Sequence, residues 1–256
     1  MWDWFITFLT NVLAGIEGFC GDWGLAIIIL TFIIRILLTP LMVRSTASSA
    51  RMQAMQPRML EIQEKYADDP VKQQEELQKL YADANFNPLG GCLPVFLQMP
   101  IFFALFSTLR DQLPQIAPDA CFYNILPSLS SSVTEMVSSV GALGAWVYIL
   151  FDILFGVLTF IPMVMNLKNS APEQRSQTLT MGIVMSVMMI WFGISVPAGV
   201  LLYYNTSAIW QVVQAKFITQ RVMEDVKAKE EERLANQPVK VDVVRRERKQ
   251  RPHKKK

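Results

Sequence analysis

"TFIIRILLTPL" occupies residues 31–41. A single arginine, Arg35, stands in a run that otherwise reads as the middle of a membrane-spanning helix. From residue 25 to residue 43 no other side chain is charged. An arginine at the centre of a bilayer helix costs about 2.5–3.5 kcal/mol on insertion scales. Arg35 lies ten residues after Leu25 and nine before Arg44, about 15 Å and 13 Å along a helix. Both distances are long for a side chain that must snorkel to the interface. Arg35 is therefore expected to face a polar cavity inside a helix bundle rather than lipid. Thr31, four residues earlier, shares its helix face and widens the polar stripe.

The composition fits a membrane setting. The chain has 256 residues, 52% hydrophobic and 18% charged, whereas soluble domains carry about a quarter charged residues. Several apolar runs reach the ~20 residues that cross a ~30 Å hydrocarbon core. The fold class expected is an all-α polytopic membrane protein with five spans, at 23–43, 91–110, 145–166, 178–196 and 197–219. Pro197 separates the last two, because its ring blocks helix continuation.

Orientation follows from Lys and Arg in the connecting segments. Residues 1–24 have none, 44–92 have six, 111–145 none, 166–178 two, and the chain from Lys216 onward fourteen. That alternation predicts an N-terminus outside and a C-terminus in the cytoplasm. Residues 1–22 are expected to form an interfacial amphipathic helix, with Trp2, Trp4, Phe5, Phe8 and Leu9 on an apolar face interrupted by Asp3, Asn11 and Glu17. No basic n-region precedes them, so no standard signal peptide is expected. The sequence Glu-Gly-Phe-Cys ending at Cys20 is a poor lipoprotein cleavage site.

Residues 44–90 read as a cytoplasmic helical hairpin. Met52, Met55, Met59, Ile62 and Tyr66 recur at helical spacing. Asp69 and Pro70 then fit an N-cap and the first turn of a second helix. The outer loop, 111–144, is rich in Pro and Ser and reads as a weakly structured connector with a short helix at best. A short cytoplasmic loop covers 167–177. Residues 220–256 read as a basic tail whose end, "RRERKQRPHKKK" at 245–256, carries eight basic residues and one acid. Such runs seek polyanions: ribosomal RNA through phosphate contacts, or anionic lipid as a topology anchor.

Several chemistries are disfavoured. His253 is the only histidine and lies in the tail. Cys20, Cys92 and Cys121 lack metal or redox spacing. Cys20 and Cys121 both fall on the outer side, but spacing alone does not pair them. No P-loop is present, so ATP hydrolysis is not expected. The reading is a non-enzyme with no catalytic residue, no cofactor, no metal and no DNA partner.

Other spans offer polar groups to the space around Arg35: Gln98 in the second, Asp152 in the third, and Tyr203, Tyr204 and Asn205 in the fifth, with Gln211 and Gln214 toward the cytoplasm. One alternative is a buried Arg35–Asp152 ion pair that only holds helices together. The other is an unpaired arginine in a water-filled groove that attracts acidic groups. Anion transporters and insertases both use such an arginine. Transporters usually show repeated halves, and no duplication is visible here.

Three stretches carry a resemblance. "NPLGGCLPVFLQMPIFFALF" (87–106), "TFIIRILLTPL" with "MQAMQPRMLEIQEKYADD" (31–41, 52–69), and "SVPAGVLLYYNTSAIWQVVQ" (195–214) resemble, in order, the second core span, the arginine-bearing first core span with its hairpin, and the last span of the YidC-type membrane protein insertases. The resemblance implies a hydrophilic groove open to the cytoplasm and closed outside. Arg35 matches the groove arginine, Thr31 a polar position one turn before it, and Tyr204 an aromatic position that contacts substrate segments. Asp152 matches no groove residue. The chain resembles the shorter, Gram-positive-type members that lack the large extracytoplasmic domain. The function implied is insertion and folding of nascent membrane proteins in a bacterial plasma membrane. The ribosome, the Sec translocon and anionic lipid are the further partners expected.

Overall fold

A computed structural model describes residues 2–83, 93–167 and 172–236. The Gly-Gly-Cys stretch, Cys92 and the basic run at 245–256 lie outside them. Among the described residues the chain is helical, with two isolated β-bridges and no strand.

The first helix, α1 (Trp2–Cys20), buries Leu9, Thr10 and Leu13 and leaves Trp4, Phe8 and Phe19 exposed. One face therefore docks on protein while the other carries aromatic side chains outward. Gly21 ends α1 in the left-handed region (φ 73°), its N–H donating to the Glu17 carbonyl, a conformation that costs glycine least. Asp22 caps the next helix, its Oδ1 accepting from Leu25 N at 2.7 Å.

That helix, α2 (Trp23–Lys65), runs 43 residues through Pro40 and Pro57. The expected span ends near residue 43, yet helix continues directly into the first arm of the hairpin. Ser, Ala, Arg, Met and Gln at 44–56 include strong helix formers, and nothing there caps the helix. Tyr66 closes α2 by donating to the Ile62 carbonyl, and Asp69 Oδ1 accepts from Lys72 N as α3 (Pro70–Asp83) begins. Met55 is buried against Leu80 and Tyr81.

The second expected span begins as α4 (Leu93–Ser107), passes through a π-helical segment at Thr108–Gln112, and ends in α5 (Leu113–Ile116). Helix thus extends into the segment read as outer loop. The rest of that loop departs from the expected weak structure. Phe122 and Leu126 form a β-bridge around Tyr123 and Asn124, both at positive φ. Helix α6 (Val133–Gly144) starts with a capping box in which Ser132 and Glu135 bond each other's backbone N–H. The Ser-Ser-Val-Thr-Glu stretch is that signal.

Helices α7 (Trp146–Asn166) and α8 (Pro172–Gly193) pack tightly, because Gly156 and Gly182 leave Ile190 and Phe160 room to approach. Their outward faces, with Ile153, Val157, Val184, Val187 and Trp191, are exposed and apolar. Among the described residues three helical segments are long and apolar enough to cross a membrane: Trp23–Lys65, Trp146–Met165 and Arg175–Gly193. Helix α9 (Ala198–Gln214) is nearly enclosed from Ala198 to Ala208. It continues through a π-helical segment, Ala215–Thr219, into α10 (Gln220–Asn236), which packs along α2. The first part of the expected basic tail is therefore an ordered helix with Met223 buried.

Candidate functional site

The site begins with Arg35. Its residue is 5% exposed, and its Nε has no hydrogen-bond partner. It lines a cavity of about 370 Å³. Helix α2 contributes Arg35, Met42 and Thr46, at intervals of seven and four residues that keep one face turned inward. Helix α4 adds Gln98 and Met99, α7 adds Pro162, and α9 with its π-helical continuation adds Gln211, Gln214, Ala215 and Thr219. Among the described lining residues one is charged, and it is positive. The remaining polar groups are amides and hydroxyls that donate or accept without fixing a counter-charge.

Two tyrosines of α9 lie near Arg35 without lining the cavity. Arg35 lies within electrostatic reach of Tyr203 and Tyr204. Tyr203 is buried and accepts a hydrogen bond from Gln98 Nε2 at 2.9 Å. Tyr204 stands edge-on to Tyr203 and packs against Phe102 and Phe155, with ring centroids 5.7 and 5.1 Å away.

Of the expected groove residues, Arg35 and Gln98 line the cavity, as do Gln211 and Gln214; Tyr203 and Tyr204 stand behind Gln98 and Phe102, and Thr31, Asn205 and Asp152 are spent elsewhere. Thr31 is buried and donates to the Ile27 carbonyl at 2.6 Å, so its hydroxyl is spent within α2. Asn205 donates to the Phe151 carbonyl at 2.9 Å and ties α9 to α7. Asp152 is buried beside Gly193 at the end of α8, where its carboxylate fills the space a Cβ would need. Among the described residues no ion pair involves Arg35 or Asp152. Asp152 projects toward α8, and Arg35 projects into the cavity, so the two charges occupy different compartments.

A family model described as 60Kd inner membrane protein matches residues 15–226. The chain belongs to this family. It is 35% identical to a membrane protein insertase YidC of Prosthecochloris aestuarii over 88% of its length and 38% of that relative. It is 34% identical to one of Aquifex aeolicus over 80% of its length and 37% of that relative. A solved structure, described as an active YidC insertase crystal structure with the first transmembrane domain resolved, superposes with a TM-score of 0.62 at 30% identity. The match covers 85% of this chain and 47% of that one. The chain thus spans somewhat over a third of the length of these curated relatives. The family expected from the three motifs is borne out, as is the helical fold. Membership and apolar helices together support a bacterial membrane location.

Sequence reasoning in this family member passed over Thr46, Met42, Met99 and Thr219. The signal was available for two of them: counting forward from Arg35 at the helical period reaches Met42 and Thr46. A span boundary near residue 43 conceals Thr46, because α2 continues past it.

Proposed function

We propose that this chain is a membrane protein insertase and folding chaperone, not a bond-making enzyme. Its reading carries five spans, an outer N-terminus and a cytoplasmic C-terminus. The observation that supports it most is a buried, unpaired arginine in a cavity with otherwise uncharged polar walls. The names of its relatives agree.

The physical argument concerns the barrier to moving polar chain across lipid. An amide or hydroxyl stripped of water costs about 2–7 kcal/mol unless rebonded. Amides and hydroxyls of Gln98, Gln211, Gln214, Thr46 and Thr219 replace part of that solvation. Arg35 adds attraction for a carboxylate on the short translocated end of a client. The apolar segment of the client then slides past Tyr204 and the lipid-facing sides of α7 and α9 into the bilayer. Hydrophobic transfer drives the step. An outside-positive potential adds about 2.3 kcal/mol per acidic charge per 100 mV. Nascent membrane proteins are the clients. The ribosome and Sec translocon deliver them, and the basic tail engages ribosomal RNA or anionic lipid.

The test is insertion of an acidic-tailed, single-span client into liposomes holding the purified protein. Arg35→Ala is expected to reduce insertion about tenfold or more, the equivalent of losing about 1.4 kcal/mol, and Arg35→Lys to restore much of it. Normal insertion by Arg35→Ala removes the electrostatic role. A second reading, an anion channel or transporter, is favoured by the single positive charge in the cavity. It predicts anion flux in liposomes without any client.

A further inference from the structure

Helices α4 and α9 form opposite walls of the cavity and share little else. Helix α4 leans on α1 and α2, and α9 on α2 and α7. Among the described residues a single side-chain hydrogen bond joins them, from Gln98 Nε2 to Tyr203 Oη at 2.9 Å. Gln98 also lines the cavity beside Arg35, whereas Tyr203 is 1% exposed. One turn further along α4, Phe102 meets Tyr204. Gln98 and Phe102 therefore close the wall together. Between them lies Pro100, which has no N–H for the Phe96 carbonyl, so α4 lacks one helical hydrogen bond at the point where it would bend.

The Gln98 amide nitrogen carries two N–H bonds; the one that serves Tyr203 can turn, with the side chain, toward an acceptor in the cavity that Gln98 lines. At rest the amide serves a buried phenol. A carboxylate drawn into the same cavity by Arg35 is a stronger acceptor, since charge-assisted hydrogen bonds are about twice as strong as neutral ones. Resting on the insertase reading, we propose that Gln98 is a positioning residue that exchanges its hydrogen bond from Tyr203 to the polar group of an entering client, and that this exchange frees α4 from α9. Recognition of a polar group and loosening of the lateral wall become one event. A client without a good acceptor leaves the wall closed, so the exchange also selects clients.

The test uses the full chain in liposomes with two single-span clients, one with an acidic tail and one with an uncharged Gly/Ser tail. Tyr203→Phe keeps the ring and removes the acceptor. Loss of one neutral hydrogen bond, about 1 kcal/mol, shifts a closed–open equilibrium about fivefold at about 1.4 kcal/mol per tenfold. Tyr203→Phe is therefore expected to speed insertion of the uncharged client about fivefold and the acidic client less, narrowing the selectivity. Gln98→Leu is expected to narrow it as well. In a Gln98→Cys, Tyr203→Cys protein, bridging the two thiols with a reducible bifunctional reagent should stop insertion of both clients, and reductant should restore it. Unchanged or slower insertion of both clients by Tyr203→Phe, or activity of the bridged protein at the unbridged rate, overturns the exchange. Wild-type protein that inserts neither client overturns the insertase reading, and the exchange with it.

Discussion

The end of the bundle closed by residues 113–144, which the sequence reading places outside, and the cavity around Arg35 are built on different rules. At that end several polar groups find protein partners. Asp22 accepts from Leu25 N and Tyr123 N. The Tyr148 hydroxyl donates to the Ser128 carbonyl and accepts from Ser128 N. Ala198 N and Gly199 N, at the buried start of α9, donate to the carbonyls of Ser131 and Leu129. A loop rich in Ser and Pro thereby becomes a lid whose backbone is satisfied internally, as burial demands. In the cavity the rule reverses at its one described charge: Arg35 Nε has no partner, although it shares the wall with the amides of Gln98, Gln211 and Gln214. A satisfied polar group rigidifies, and an unsatisfied one is available for a guest. Closure on one side and receptivity on the other are thus one difference in hydrogen-bond bookkeeping.

Perturbing the outer end should cost stability, and perturbing the cavity should cost activity. The largest effect is expected from Asp22→Ala. It removes a charged acceptor from two N–H donors, each bond worth about 1.5–3 kcal/mol, and should lower the detergent melting temperature of the purified protein by an amount equivalent to about 3 kcal/mol or more. Tyr148→Phe should follow at about 1–2 kcal/mol, since it removes two neutral bonds, with acidic-tail insertion per folded molecule unchanged. If Tyr148→Phe selectively impairs insertion without destabilising, the lid takes part in transport and the contrast fails. Gln211→Leu and Thr46→Val sit at the small end: melting within about 0.5 kcal/mol of wild type, as for substitutions away from buried networks, but insertion of polar tails slowed two- to threefold, by analogy with one weakened neutral hydrogen bond at about 0.5 kcal/mol. Asp152→Asn sharpens the comparison in a different way. Because Asp152 and Arg35 form no pair, the client's preference for an acidic tail should be unaltered, which a comparison of acidic and uncharged clients would measure.

Much of this was legible in residues 31–41 and their surroundings. Apolar length, the lone arginine and the alternation of basic residues are properties of consecutive residues, and so is the capping signature at Ser132–Glu135, which composition alone obscured. Polarity alone misplaces the ends of two helices. Helix α2 does not stop where lipid-like sequence stops, because helix propensity continues into the polar arm, and α10 packs along α2 with Met223 buried, which its own charged sequence does not announce. Thr31, Asn205 and Asp152 carried the right chemistry at plausible depths, yet Thr31 spends its hydroxyl on its own helix and the other two face neighbouring helices away from the cavity.

The sequence by itself determined that this chain is a helical membrane protein with an arginine too deep to reach either interface, and that it belongs with the insertases it resembles. Only the tertiary structure decided that Arg35 stands apart from Asp152, that Gln98 meets Tyr203, and that Thr46, Gln211 and Gln214 share one cavity. The physical reason is rotation. Hydropathy and period fix how deep a residue lies and which residues share its face, but the angle at which each helix turns that face toward its neighbours is set by packing between segments far apart in the chain.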